Sequence, residues 1–226
     1  MPLTLPPSRE FHDFAIQEDR LFDLLSTLPL ADRAVVKEAY LQARTAHDAQ
    51  MRDDGTPYIL HPLRATISLM AECGIKNTDI LCAMLLHDVV EDTRVTLAAI
   101  EKLFSSRVAT LVGNVTRART VHPTEERVRH DKAEKFKKLL DADEETRTIK
   151  CADLLDNIRS WPNIPCDSTA RKKLPRWFDE AQTYALPLAQ KTNAILFQEI
   201  SRAFSYAQEQ NDICSPTITH SLIEIL

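Results

Sequence analysis

Apolar residues recur at intervals of three and four along most of the chain, the spacing of helices that bury one face. EDRLFDLLSTL (residues 18–28) reads as a short amphipathic helix ending before Pro29. PLADRAVVKEAYLQARTAHDAQMR (29–52) continues the periodicity with good helix formers throughout. DDGTPYIL then breaks the pattern, with Gly55 and Pro57 enforcing a turn. A new helix opens at His61-Pro62, because proline is tolerated in a first turn, and runs to Gly74, a terminating glycine. NTDILCAMLLHDVVEDT (77–93) predicts one helix capped by Asn77, apolar nearly all round and therefore central. TLAAIEKLF and SRVATLVGNVTRA predict two short amphipathic helices. RTVHPTEERVRHDK (119–132) reads as a polar loop leading into a charged helix. EETRTIKCADLLDNIRSW (144–161) again has an apolar face and stops near Pro162; two more helices are expected at about 168–185 and 188–209.

Composition sharpens this picture. Three glycines in 226 residues leave few of the tight turns a sheet protein needs, which favours an all-α fold, a single helical bundle. The length suits one domain with a real core. The net charge of −5 argues against a general nucleic-acid binder but not against a small phosphorylated ligand. No stretch approaches the twenty apolar residues of a membrane span, and the amino terminus lacks the basic start and apolar core of a signal peptide. Five cysteines form no C-x-x-C pair, and Cys82 and Cys151 sit inside apolar helical runs as buried free thiols. The expectation is a soluble cytoplasmic protein with no nucleic-acid or membrane partner; homo-oligomerisation is left open.

The chemistry gathers at LLHDVVEDT (85–93). His-Asp pairs also stand at 12–13, 47–48 and 130–131, so context rather than the dipeptide carries the inference. Residues 12–13, His122 and 130–131 lie in polar, irregular surroundings, though His130 or Lys132 could reach a phosphate from a loop; Arg44 and His47 read as structural, or as support behind the site, rather than catalytic. In a helix over 77–92, His87 and Glu91 share a face, as do Asp88 and Asp92. Three carboxylates at a helix carboxyl terminus, already partly negative, require a cation. His61, at a helix start, and Asp153, which interrupts an apolar face one turn before Asn157, are the further ligand candidates. The alternative for Asp153 is a buried acid paired with Lys150 or Arg159. Two imidazoles and two carboxylates suit manganese, iron or a similar divalent ion.

The order His61, His87-Asp88, Asp153 resembles the HD-domain metal-dependent phosphohydrolases. GTPYILHPLRA, AMLLHDVVEDT, VATLVGNVT and IKCADLLDNIRS resemble, more closely, the alarmone hydrolase domain of RelA/SpoT-type enzymes and the stand-alone small alarmone hydrolases of the Mesh1-like group. The likeness covers roughly residues 35–205 and places an HD-type domain at 31–209, between an amino-terminal arm and short helix (1–30) and a carboxyl-terminal extension (210–226). It implies Mn²⁺-dependent hydrolysis of the 3′-pyrophosphate of guanosine tetra- or pentaphosphate, without synthetase activity. It also implies His61, His87, Asp88 and Asp153 as metal ligands, with Glu91 and Asp92 serving the water and the scissile phosphate. Arg52 matches an arginine stacked on the nucleobase; Asn157 and Ser160 match positions near the nucleoside. Asp53, Leu154 and Asp156 depart from the family's usual lysine, arginine and histidine. An acid beside a polyphosphate is expected to weaken binding or shift the substrate, towards (p)ppApp, the 2′-phosphate of NADPH or a nucleoside phosphate. A catalytically inactive nucleotide sensor is the alternative of another class.

Overall fold

Side-chain caps start many of the helices. In the computed structural model, which describes residues 9–116 and 124–214, Asp13 accepts the Ile16 amide and opens α1 (Phe14–Leu25). Asn77 caps α4 (Thr78–Leu86) as expected, after α2 (Leu30–Ala46) and α3 (Leu60–Ala71). A short α5 (Val89–Asp92) follows, then α6 (Leu97–Leu103), α7 (Ser106–Val115), α8 (Glu125–Asp141) and α9 (Glu144–Ser160), capped by Thr96, Ser105, Thr124 and Asp143. The chain closes with α10 (Leu174–Glu180), α11 (Leu186–Thr192) and α12 (Ala194–Cys214). Among the described residues the only β-type pairing is an isolated bridge between Met51 and Pro57, so the architecture is all-α.

Two apolar clusters fill the interior. One packs α1, α2, α3, α4 and α7 around Tyr40, Leu63, Leu69, Leu81 and Leu85; the other packs α8 and α10–α12 around Leu174, Leu188, Leu196 and Ile200. α9 serves both, giving Ile149 and Ala152 to the first and Cys151, Leu155 and Ile158 to the second. A helix buried on opposite faces is the central one, and α3 and α4 both pack against it. Leu21 and Leu25 of α1 lie in the first cluster, so the amino-terminal helix belongs to the same core. Cys82 and Cys151 are free and buried, and burial pushes both thiols up to about 12.

The structure departs from the sequence reading in four places. Residues 77–92 are not one helix: α4 ends at Leu86, the chain turns at His87-Asp88, and α5 adds one turn. The His87 ring donates Nδ1–H to the Met84 carbonyl at 2.9 Å, the group that the residue 88 amide would take in a continuing helix. The charged helix begins at Glu125, inside the expected loop, because Thr124 caps it; His130 and Asp131 are helical, and His122 lies outside the described residues. The expected break near residue 186 falls instead at Asn193, which is extended and caps α12 through Oδ1. Pro187 sits in the first turn of α11, after a π-helical turn (Ala181–Ala185) that absorbs its missing donor. α2 ends at Ala46, six residues short of the expected end, as the chain enters a turn where Ala49 adopts φ +61°.

Candidate metal centre

Three helices deliver the centre. His61 lies in the first turn of α3, His87 and Asp88 at the end of α4, and Asp153 in the middle of α9. His87 points Nε2 inward because Nδ1–H is spent on Met84. His61 does the same because Nδ1–H is donated to Asp156 Oδ2 at 2.8 Å. The two Nε2 atoms therefore face each other at 3.2 Å. Asp88 Oδ2 stands 3.0 Å from His87 Nε2 and 3.6 Å from His61 Nε2. Asp153 Oδ1 stands 3.2 Å from His61 Nε2 and 3.7 Å from His87 Nε2.

Four electron-rich atoms so close repel one another unless positive charge sits among them. Burial works against charge on His87, yet the Asp88 and Asp153 carboxylates outweigh it and hold the imidazole up to about 10. Asp153 is held well below the usual carboxylate range although burial opposes this, first by the Lys150 ammonium and then by both histidines. His61, His87 and Asp88 offer ligand atoms within 4.8 Å of one another, and Asp153 joins them from α9. The donor set of two imidazoles and two carboxylates fits a divalent ion.

Beside these ligand candidates stand the two expected catalytic acids. Asp92 Oδ2 is 2.8 Å from the Tyr58 hydroxyl, which lies equally close to Asp88 Oδ2. Burial, with the charges of Asp88 and Glu91, raises the Asp92 carboxyl above its ordinary value despite the Tyr58 hydrogen bond. Glu91 occupies the same turn, half-buried. Arg52 donates to Asn157 Oδ1 at 2.8 Å, with its guanidinium 5.9 Å from the Tyr58 ring centre, and Asn157 donates to Asp153 Oδ1 at 2.6 Å. Arg52, Asn157 and the four ligand candidates are thus contiguous.

Ser160 and Asp156 correct the sequence reading. The Ser160 hydroxyl is buried, bonded to Arg64 and to the Asp156 carbonyl, so it presents nothing to a nucleoside. Asp156 is 2% exposed and bonded to His61 and Arg64, an internal acid rather than one beside a polyphosphate. Asp53 remains at the surface, paired with Lys173 at 2.8 Å. Of the partners considered for Asp153, Lys150 contacts it, whereas Arg159 pairs with Glu72 and Glu199.

Sequence reasoning missed Tyr58, Arg64 and Gln50 as parts of this site, and named Lys150 only as a partner that would make Asp153 a buried paired acid. Gln50 receives the His47 ring at Oε1 and donates to the Asp92 carbonyl at 3.2 Å, while the His47 ring stacks on Tyr58. Arg64 carried a signal: an arginine within the apolar stretch HPLRATISLM needs an internal partner.

The HD domain family model matches residues 39–192, a span that holds every residue of the candidate centre. The chain belongs to the HD domain family. As an HD domain it carries a His–His–Asp cluster for a divalent ion. The chain is 33% identical over 176 residues to guanosine-3′,5′-bis(diphosphate) 3′-pyrophosphohydrolase MESH1 of Xenopus tropicalis, covering 77% of this chain and 95% of the relative. It is 37% identical over 151 residues to the guanosine-3′,5′-bis(diphosphate) 3′-pyrophosphohydrolase of Aquifex aeolicus, covering 66% of this chain. The HD domain chain spans about a fifth of the length of such bacterial relatives. A solved structure described as a metazoan ortholog of SpoT that hydrolyses ppGpp superposes with a TM-score of 0.69 at 30% identity, covering 80% of this chain and 97% of that one.

Proposed function

We propose that this chain is a metal-dependent pyrophosphohydrolase acting on the 3′-pyrophosphate of (p)ppGpp-type alarmone nucleotides, in the cytoplasm, with Mn²⁺ held by His61, His87, Asp88 and Asp153. The carrying observation is the convergence of His61, His87, Asp88 and Asp153 from three helices, directly beside Arg52 and Asn157. Support comes from the likeness to a relative named for this reaction, 95% of whose length the chain covers. A divalent ion bound there supplies Lewis acidity towards water and neutralises charge on a phosphoryl oxygen. In the overall step, water adds to the phosphorus bearing the ribose 3′ oxygen. That oxygen leaves as the ribose hydroxyl, and pyrophosphate departs. Asp92, with Glu91 in the same turn, accepts the proton from the attacking water. Arg52 stacks its guanidinium plane on the purine, with Asn157 beside the nucleoside. Lys150 pairs with Asp153 and brings positive charge beside the centre.

A second reading keeps the site and changes the nucleotide to (p)ppApp, the 2′-phosphate of NADPH or a nucleoside phosphate. One observation favours it: Asp53 puts an acid on the surface next to Arg52. Both readings are tested by incubating the purified chain with Mn²⁺ and, separately, ppGpp, ppApp and NADPH, with products resolved by ion exchange. Pyrophosphate released from ppGpp is the expected result. Orthophosphate from NADPH would select the second reading. Mn²⁺ binding without turnover of any of these nucleotides would leave the inactive sensor.

A further inference from the structure

A buried ion pair rarely stabilises a fold more than well-packed apolar residues in its place, because both charges lose their hydration. Arg64 and Asp156, each 2% exposed, form such a pair between α3 and α9. Arg64 donates from Nε to Asp156 Oδ1 at 2.8 Å and from one terminal nitrogen to Oδ2 at 3.0 Å, which fixes the carboxylate plane. The same nitrogen reaches Ser160 Oγ at 3.1 Å, and the other terminal nitrogen reaches the Phe11 carbonyl at 3.2 Å. The Phe11 ring covers the guanidinium at 4.0 Å. Among the described residues the remaining bond to the carboxylate comes from His61 Nδ1–H, on Oδ2 at 2.8 Å.

We propose that Asp156 is a positioning residue for the metal centre: clamped by Arg64, it locks His61 in the tautomer and ring orientation that present Nε2 to the ion. Phe11 seals the clamp, so the helical turn Arg9–His12 before α1 is part of the site. The proposal rests on His61 being a ligand, and it explains why α3 and α9 bury a charge pair next to that ring. A carboxylate behind a ligating imidazole fixes its orientation and raises its basicity, and loss of such a partner weakens metal binding about 10–100-fold.

The test is calorimetric titration of Mn²⁺ into the purified full chain, without nucleotide. Replacing the pair by apolar residues (Arg64→Leu with Asp156→Leu) leaves no buried charge behind, so the fold is retained while His61 Nδ1 loses its partner. Its Mn²⁺ affinity is expected to fall about 10–100-fold at an unchanged thermal midpoint. Arg64→Leu with Asp156→Asn is expected to regain most of that loss, because the amide carbonyl accepts the same proton. Phe11→Ala is expected to weaken Mn²⁺ binding several-fold. Parent-like affinity in the double leucine variant, or no recovery with asparagine, overturns the proposal. Should neither double variant fold, long-range ¹H–¹⁵N spectra of the Mg²⁺-loaded parent decide: His61 protonated at Nδ1 is expected, and protonation at Nε2 overturns it. A parent that binds Mn²⁺ but releases no pyrophosphate refutes the proposed substrate alone. A parent that binds no Mn²⁺ refutes both.

Discussion

A phenol has one proton, yet the Tyr58 hydroxyl lies 2.8 Å from a carboxylate oxygen of Asp88 and of Asp92 alike. It donates to one of them at a time and ties the proposed proton acceptor to a proposed ligand. A hydrogen bond to a charged group contributes about 1.5–3 kcal/mol, so Tyr58→Phe is expected to lower kcat on the order of ten- to hundred-fold and, through Asp88, to weaken Mn²⁺ binding, leaving KM near the parent's. A fall in thermal stability with kcat unchanged would instead make Tyr58 a packing residue. Asp92 and Asp153 separate in the same way. Asp92→Asn removes the proton acceptor but no ligand, so turnover should drop by about 100-fold or more while calorimetry still finds Mn²⁺. Asp153→Asn should lose the ion itself, and equal modest effects from both substitutions would refute the division of roles. At this scale the ligand candidates were legible because an imidazole or carboxylate at the edge of an apolar run stands out. Asp156 was not: its partners His61 and Arg64 lie 95 and 92 residues away, and a buried acid looks in sequence like an exposed one.

Helix α9 carries Asp153 and Asn157 and lies between the two clusters of the core, so its start sets where the site's third wall stands. Asp143 caps that start, accepting the Thr146 amide at 2.8 Å and Arg107 at 2.7 Å. Slight burial pushes its carboxyl up, but the Thr146 and Arg107 bonds outweigh this and bring it down to about 2. Asp143→Ala should cost about 1 kcal/mol at neutral pH, the usual worth of a cap. The depressed value fixes the sign: the contribution is complete above the ordinary aspartate range and is lost as pH falls towards about 2. Urea unfolding at neutral pH and near pH 3 should therefore show the gap between parent and variant narrowing in acid; a constant gap would assign the loss to helix propensity alone. Helix periodicity made most elements legible, and Asn77 caps α4 where the sequence placed it. The break at His87-Asp88 was hidden, because a side chain that takes the Met84 carbonyl from the backbone leaves no mark on the apolar pattern. Asp88 and Asp92, one helical turn apart after the break, meet a common partner in Tyr58.

Across the molecule, the candidate centre joins α3, α4 and α9, and α9 belongs to both halves of the interior. An ion bound there links elements that unfolding must separate, and the unfolded chain has no such convergence of ligands, so binding adds directly to stability. At an Mn²⁺ concentration about 100 times its dissociation constant the gain is about 2.7 kcal/mol. For a chain of this size each kcal/mol moves the midpoint by about 2–4 °C, so Mn²⁺ should raise the thermal midpoint by about 5–10 °C, and a chelator should reverse it. Asp153→Asn should abolish the Mn²⁺-dependent shift, whereas Asp92→Asn should keep it, since Asp92 faces Tyr58 rather than the paired imidazoles. Differential scanning calorimetry of the three proteins with and without Mn²⁺ measures this. A parent midpoint that stays put at saturating Mn²⁺ would mean that the ion does not bridge the three helices, whatever the nucleotide assays report.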